Sequence, residues 1–363
     1  MQSGRQPLLV VLGTRPEAIK LWPLVLKAKE LGISICVVST GQQKDLLRQT
    51  LNDLDFDVDF YLEPPKTILS PETFVFETAS RLKEIIERIS PRLVLVQGDT
   101  GSALAGALAA FFSKIPVGHV EAGLRSHDLL APWPEEGNRR LIDSISKYLW
   151  VPTLGDSYPN ESKDQEVIVV GNTVVDALRI ILGSEKNVRP NKSKKILVTL
   201  HRRESFGAPL ISTMKKLVEL SQLVDHEIIF YQHPNPNVEN AIINSKLEES
   251  RVKIESPLPY REFIKILHGV DLLITDSGGL QEEATTLKIP LLVVRDTTER
   301  QSGVSESMQS RLVGSSGEHL IESALEFLSN PTNNDDVVSF SEIYGDGNSA
   351  ERILSSACKE LKA

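Results

Sequence analysis

The sequence predicts an α/β protein of two Rossmann-like domains, each a parallel sheet covered by helices. Short apolar runs rich in Val, Ile and Leu alternate with longer amphipathic stretches along all 363 residues. The runs are continuous rather than alternating, as in strands buried on both faces. The length is too great for one ordinary core and suits two domains of roughly 150 to 200 residues each.

The first strand is expected over Leu8 to Leu12, followed by Gly13-Thr14-Arg15-Pro16-Glu17. Gly13 suits a tight strand-to-helix turn and Pro16 the first helical position, so a helix N-terminus is well defined there. Further strands are expected over Ile35 to Val38 and Leu93 to Val96, the latter running into Gln97-Gly98-Asp99-Thr100-Gly101. Gly118 to Glu136, dense in acids and bases, reads as a loop stiffened by Pro132, Trp133 and Pro134. The first domain then covers residues 1–171, with its boundary near Gly171-Asn172-Thr173. Asn187 to Lys195, polar and basic, reads as a loop inside the second domain, residues 172–348. Strands there are expected over Ile196 to Leu200, Ile228 to Tyr231, Leu272 to Thr275 and Leu291 to Val294. Residues 349–363 read as a last helix, and whether it crosses back to the first domain is left open. Neither a solenoid repeat nor a low-complexity segment is visible.

A net charge of −9 argues against nucleic acid as a partner, since phosphate-backbone binding needs a basic face. Cys36 and Cys358 stand far apart with no metal-ligand spacing, so neither a metal site nor a disulfide framework is expected and a reducing cytoplasm fits. Met1 to Pro7 is polar, and Leu8 to Leu12 is too short for a signal peptide. No stretch approaches the roughly 18 apolar residues of a membrane span.

Several strand ends carry candidate chemistry, where open parallel sheets place ligands. The helix start at Gly13 would favour an anion, with Arg15 and Lys20 adding charge, although a capped helix with solvated basic residues fits as well. No GxGxxG supports a dinucleotide. Asp99 is either functional or a plain helix cap. Glu121, Arg125, His127, Asp128, Glu135 and Glu136 are harder to explain as one solvated loop, because clustered carboxylates shift one another's pKa and divide acid and base roles. His201, beside Arg202 and Arg203, suits donation to a leaving phosphate, and His233-Pro234-Asn235-Pro236-Asn237 makes a stiff turn on the same edge. Ser277-Gly278-Gly279 offers a hydroxyl and bare backbone N–H groups that can cradle a diphosphate. Glu283, one turn on, is placed to accept paired ribose hydroxyls. Arg295 to Arg300 returns positive charge to that edge.

These segments in this order closely resemble the non-hydrolysing UDP-N-acetylglucosamine 2-epimerases: Gly13 to Lys20, Gly118 to Arg125, Pro132 to Glu136, His201 to Gly207, Thr275 to Ala284 and Arg295 to Arg300. The resemblance runs from Leu8 to about Arg352. It implies the two-domain GT-B architecture with an interdomain active site, often as a homodimer. It also implies reversible conversion of UDP-GlcNAc to UDP-ManNAc through a glycal, without NAD or metal, in cell-surface polysaccharide precursor synthesis. By resemblance Asp99, Glu121 and Glu135 are acid/base candidates and His201 assists the leaving diphosphate. Arg15, Lys20, Phe263, Ser277, Gly278, Gly279, Glu283 and Arg300 match positions that hold UDP.

The chain departs from the family's activation features. Gln43 stands in Thr40-Gly41-Gln42-Gln43-Lys44 where many bacterial members have His, Leu62 to Lys66 lacks the usual basic pattern, and Gln301-Ser302 replaces Pro-Glu. Weakened substrate activation, or a different sugar on UDP such as a diacetamido-uronic acid, is the expectation. A glycosyltransferase of the same architecture is the alternative from another class; it would need an acceptor site rather than a carboxylate cluster.

Overall fold

A computed structural model describes residues 6–63, 70–156, 163–183, 194–300, 309–329 and 343–362. Pro64 to Lys66, residues 187–193, Gln301 and Ser302, named above, lie outside them. The chain divides into two compact units, Met1–Ile180 with Tyr344–Ala363, and Ile181–Ile343.

The first unit holds β1 (Leu8–Leu12), β2 (Ile35–Ser39), β3 (Phe60–Tyr61), β4 (Leu93–Gln97), β5 (Val117–Val120), β6 (Tyr148–Val151) and β7 (Glu166–Val169). They form one sheet in the order β3-β2-β1-β4-β5-β6-β7, with every pairing parallel. Helices α1 (Arg15–Glu30), α2 (Lys44–Asp53), α3 (Pro71–Ile89), α4 (Gly101–Phe112), α5 (Glu135–Ile145) and α6 (Thr173–Leu182) follow in sequence. The apolar runs of β1 and β4 are fully buried, which is why they carry no alternation. Helix α4 is rich in Gly, Ala and Ser, and it lies so close to the sheet that a Cβ on Gly106 would sit 2.9 Å from Val96 Cγ1.

The expected loop from Gly118 to Glu136 is corrected at both ends: Val117–Val120 is a buried strand and Glu135 opens α5. Polar His119 is tolerated inside the sheet because both ring nitrogens are satisfied, Nδ1 by Asp143 Oδ1 at 2.6 Å and Nε2 by the Gly98 carbonyl at 2.7 Å. Gly118 is required by close approach, since its Cβ would meet the Trp150 ring at 2.4 Å.

The second unit has β8 (Lys195–Thr199), β9 (Glu227–Tyr231), β10 (Lys253–Glu255), β11 (Leu272–Thr275), β12 (Leu291–Val293) and β13 (Ser310–Leu312), in the order β10-β9-β8-β11-β12-β13 and all parallel. Helices α7 (Ala208–Leu223), α8 (Pro236–Ser245), α9 (Tyr260–Leu267), α10 (Gly278–Thr286) and α11 (Leu320–Ser329) cover it. A buried core runs from Ile196 and Phe230 to Leu217 and Leu320.

The last helix, α12 (Ser349–Lys362), belongs to the first unit. Buried Asp176 of α6 accepts from the Ser349 and Ala350 N–H groups at 3.2 and 2.9 Å, and Trp150 Nε1 donates to Ser356 Oγ at 2.7 Å. The chain therefore returns to its first core. Where the sequence places a boundary at Gly171, the first unit continues through most of α6. Among the described residues no helix is long and apolar enough to cross a membrane.

Candidate active site

Each sheet reverses its strand order once, between β1 and β4 in the first unit and between β8 and β11 in the second. At such a switch point the loops after the two strands diverge and leave a crevice at their carboxyl ends. Arg15 and Asp99 follow the two strands at the first point, and His201 and Ser277 follow the two at the second.

In the first unit Glu121 follows β5 with φ +64°, a left-handed conformation that an L side chain adopts at a cost of about 1 kcal/mol. Its buried carboxylate lies 2.6 Å from Lys20 Nζ and also accepts from Gln97 Nε2. Asp99, after β4, does not cap α4. Thr100 does, its hydroxyl accepting from the Ala103 N–H at 3.0 Å. Asp99 instead pairs with Arg139, whose other nitrogen reaches Glu136 at 2.6 Å. Glu136 is fully buried and also takes Arg140 Nε at 2.8 Å and the Ser126 N–H at 3.1 Å. Burial works against its charge, but these donors and the two guanidiniums hold its carboxyl below the usual range. Glu136 is thus a fixed anion, while Glu135 beside it is half-buried at the start of α5.

Asp143 is likewise spoken for: burial raises its pKa, and His119 with Arg125, whose Nη2 is 2.6 Å away, outweighs that and lowers it. His127 and Asp128 are exposed, and Asp128 closes a local turn by accepting from the Leu130 N–H at 2.9 Å. Neither joins the cluster. Arg15 is half-buried, and its backbone N–H donates to Gln43 Oε1 at 3.1 Å.

In the second unit buried Asp276 organises the turn after β8, accepting from the N–H groups of His201 and Arg202 at 2.8 and 2.9 Å. His201 Nδ1 lies 3.4 Å from its other oxygen, and the His201 and His233 rings stack at 5.2 Å. Ser277 occupies the N-cap position of α10 without its side chain capping the helix, which leaves the hydroxyl for other work. Gly278 is buried beneath Arg300, where a Cβ would sit 2.4 Å from Nη1. Arg300 donates through Nε to Glu282 at 2.8 Å and also pairs with Glu299. Glu299 further meets Arg295 at 2.9 Å and Arg202 at 3.7 Å. Burial pushes the Glu299 carboxyl up, but the three guanidiniums prevail and hold it far below the usual carboxylate range. Burial and the like charge of Arg202 depress the pKa of Arg295. Glu283, on α10, is buried and accepts from Tyr260 Oη at 2.8 Å. Phe263 meets Tyr231 edge-on at 5.9 Å. A helix N-terminus with bare glycine N–H groups beside Arg300, whose partner Glu299 gathers two further guanidiniums, has the chemistry that suits a polyanion.

A family model described as UDP-N-acetylglucosamine 2-epimerase matches residues 26–357. The chain belongs to the UDP-N-acetylglucosamine 2-epimerase family. It is 36% identical to the UDP-N-acetylglucosamine 2-epimerase of Neisseria meningitidis, over 97% of this chain and 99% of that one. The crystal structure of the Neisseria enzyme bound to UDP-GlcNAc is similar with a TM-score of 0.87 and 34% identity, covering 97% of this chain and 100% of that one. The Methanocaldococcus jannaschii enzyme in complex with UDP-GlcNAc and UDP gives a TM-score of 0.79 at 31% identity, covering 97% and 99%.

For this member of the epimerase family, then, the structure brings Lys20 and Glu121 into direct contact, sets Asp99 just after β4 and Glu135 at the start of α5, and lays Arg300 over Gly278. Sequence reasoning assigned no role to Gln97, Arg139, Asp276 or Glu299, each of which holds a candidate residue in place. A signal existed for two of them. Arg139 stands three residues after Glu136, the spacing of a helical ion pair, and Glu299 sits between two arginines of one run.

Proposed function

We propose that the chain interconverts UDP-GlcNAc and UDP-ManNAc by eliminating and re-adding UDP. A carboxylate removes the C2 proton while the C1–oxygen bond breaks with its electron pair leaving on UDP. The products are a C1–C2 double bond, the glycal, and UDP. Protonation of C2 from the opposite face and return of UDP to C1 close the cycle, so the reaction is redox neutral. Asp99, Glu121 and Glu135 are the acid/base set. His201 assists the leaving diphosphate, and Arg15, Lys20, Phe263, Ser277, Gly278, Gly279, Glu283 and Arg300 hold UDP.

The observation that carries this reading is Glu121, after β5, clamped by Lys20 and Gln97, with the Arg139-bound Asp99 two residues beyond Gln97 at the switch point of a sheet in this family. Two anchored carboxylates on separate strand ends suit proton removal on one face and delivery on the other. The guanidiniums around Glu299 suit the charge that develops on departing UDP. Proton NMR with UDP-GlcNAc in deuterated water tests it. A UDP-ManNAc anomeric signal with deuterium entering C2 is expected, and Asp99→Asn, Glu121→Gln or Glu135→Gln should each slow it by about 10²-fold or more. Wild-type rates in all three folded variants would sink the mechanism.

A cytoplasmic homodimer is part of the proposal. Exposed Phe76 on α3 and Phe112 on α4 support a partner-covered face, and light scattering of the eluting protein reads the mass. Gln43, engaged with the Arg15 N–H, stands where many relatives have His, which supports weakened activation by UDP-GlcNAc. Hyperbolic rates without a lag from UDP-ManNAc are expected; a requirement for added UDP-GlcNAc would overturn that part.

A further inference from the structure

We propose that Glu17 is a positioning residue for this reaction: its buried carboxyl clasps the turn after β1, which carries Arg15, to the turn after β4, which carries Asp99. The inference rests on the epimerase reading above and adds a residue that touches no substrate.

Glu17 is wholly buried in the first turn of α1. Its Oε2 accepts from the N–H groups of Gly13 and Thr14 at 2.8 and 2.7 Å and from Thr14 Oγ1 at 2.8 Å. Its Oε1 accepts from Thr100 Oγ1 at 2.6 Å. Thr100 is also the residue that caps α4 and the one that directly follows Asp99. One carboxyl therefore fixes a turn on its own chain segment and the helix start beside Asp99. A second tie joins the same region: Thr40 Oγ1 and Ser102 Oγ lie 2.6 Å apart, in the space a Cβ on Gly13 would fill. With the turns after β1 and β4 stitched through Glu17 and the turn after β2 tied to α4, Arg15 and Asp99 keep a fixed spacing, and a misplacement of about 1 Å can lower turnover by about 10²-fold.

All four hydrogen bonds to Glu17 come from uncharged groups. The charged groups on surrounding elements have other partners: Lys20 lies on Glu121 and Asp99 on Arg139. Arg15 is on the same helix, and Lys44 and Asp45 of α2 are exposed. Burial outweighs the four donors and lifts the carboxyl to about 7, so it exchanges its proton in the neutral range. Three donors occupy Oε2, so a proton is accommodated on Oε1, and on protonation the 2.6 Å bond reverses: the carboxyl donates and Thr100 Oγ1, which donates to the ionised form, accepts. Ionisation keeps the clasp but adds a negative charge beside a turn proposed to face a diphosphate. Glu17→Gln reproduces the protonated form, with a carbonyl for the three donors and an amide N–H toward Thr100. Glu17→Ala removes the clasp.

The experiment measures kcat and KM for UDP-GlcNAc from about pH 6 to about pH 8.5 for wild type, Glu17→Gln and Glu17→Ala, with a melting curve for each. Wild type should show KM rising about threefold or more as pH passes 7, from charge repulsion, while the Gln variant stays flat. The Gln variant should keep kcat within a few-fold, and the folded Ala variant should lose about 10²-fold. A Gln variant that tracks the wild-type KM profile, or a folded Ala variant with wild-type kcat, would overturn the inference. Should Glu17→Ala not fold, the Gln profile decides alone. A wild-type protein without turnover would instead remove the functional reading beneath it.

Discussion

Gly278→Ala separates the stability of the second unit from its grip on UDP. The added Cβ would lie 2.4 Å from Nη1, 2.6 Å from Cζ and 3.1 Å from Nε of Arg300. Nonbonded contacts need about 3.5 Å, so the guanidinium has to move by about 1 Å while the backbone can stay. That motion cannot keep both the 2.8 Å bond to Glu282 and the pairing with Glu299. Losing one charge-assisted bond is worth about 1.5–3 kcal/mol, and the alanine returns about 0.5–1 kcal/mol of helix propensity, so net destabilisation should be about 0.5–2.5 kcal/mol. If Arg300 holds the diphosphate, its displacement should weaken UDP binding by about 10- to 150-fold. Calorimetric titration with UDP, paired with a thermal melt, reads both quantities. The decisive control is Arg300→Ala: once the guanidinium is gone the Cβ has nothing to strike, so the double variant should bind no more weakly than Arg300→Ala alone. Fully additive losses, or wild-type UDP affinity in Gly278→Ala, would refute the reasoning.

Three further outcomes follow from the same coordinates. Gly279 has nothing within 4 Å of a Cβ position, so Gly279→Ala should melt at or above the wild-type temperature yet bind UDP more weakly, because its only demand for glycine is ligand approach. Asp176→Ala leaves the Ser349 and Ala350 N–H groups without their buried acceptor, which should cost about 2–4 kcal/mol and raise hydrogen exchange across α12 first. Between its ordinary 4.5 and about 7, Glu17 holds a proton in the folded chain that the unfolded chain has lost, so stability should fall as pH rises through that window. The fall is about 3 kcal/mol over the window, and denaturant melts of Glu17→Gln against wild type should show it removed.

The sequence by itself determined the fold class. The runs at Leu8 to Leu12, Leu93 to Val96 and Leu272 to Thr275 are continuous because both faces of those strands are covered, and that is visible without coordinates. The edge strands β3, β7, β10 and β13 were not legible, since they are short and only partly buried. Central β5 was not legible either, because Gly118 and His119 break its apolar run and are tolerated only through Trp150, Asp143 and the Gly98 carbonyl.

At the site, motif order was enough to nominate Asp99, Glu121, His201 and Ser277, because strand-end residues are local signals. What each side chain touches was decided by the tertiary structure. Lys20 meets Glu121 across 101 positions and Asp99 meets Arg139 across 40, and no local pattern encodes a contact that depends on strand order. The same holds for the protonation of Glu17. Its residue type promises an ordinary carboxylate, and only the packing of α1 against the start of α4 makes it a buried group that titrates near neutrality.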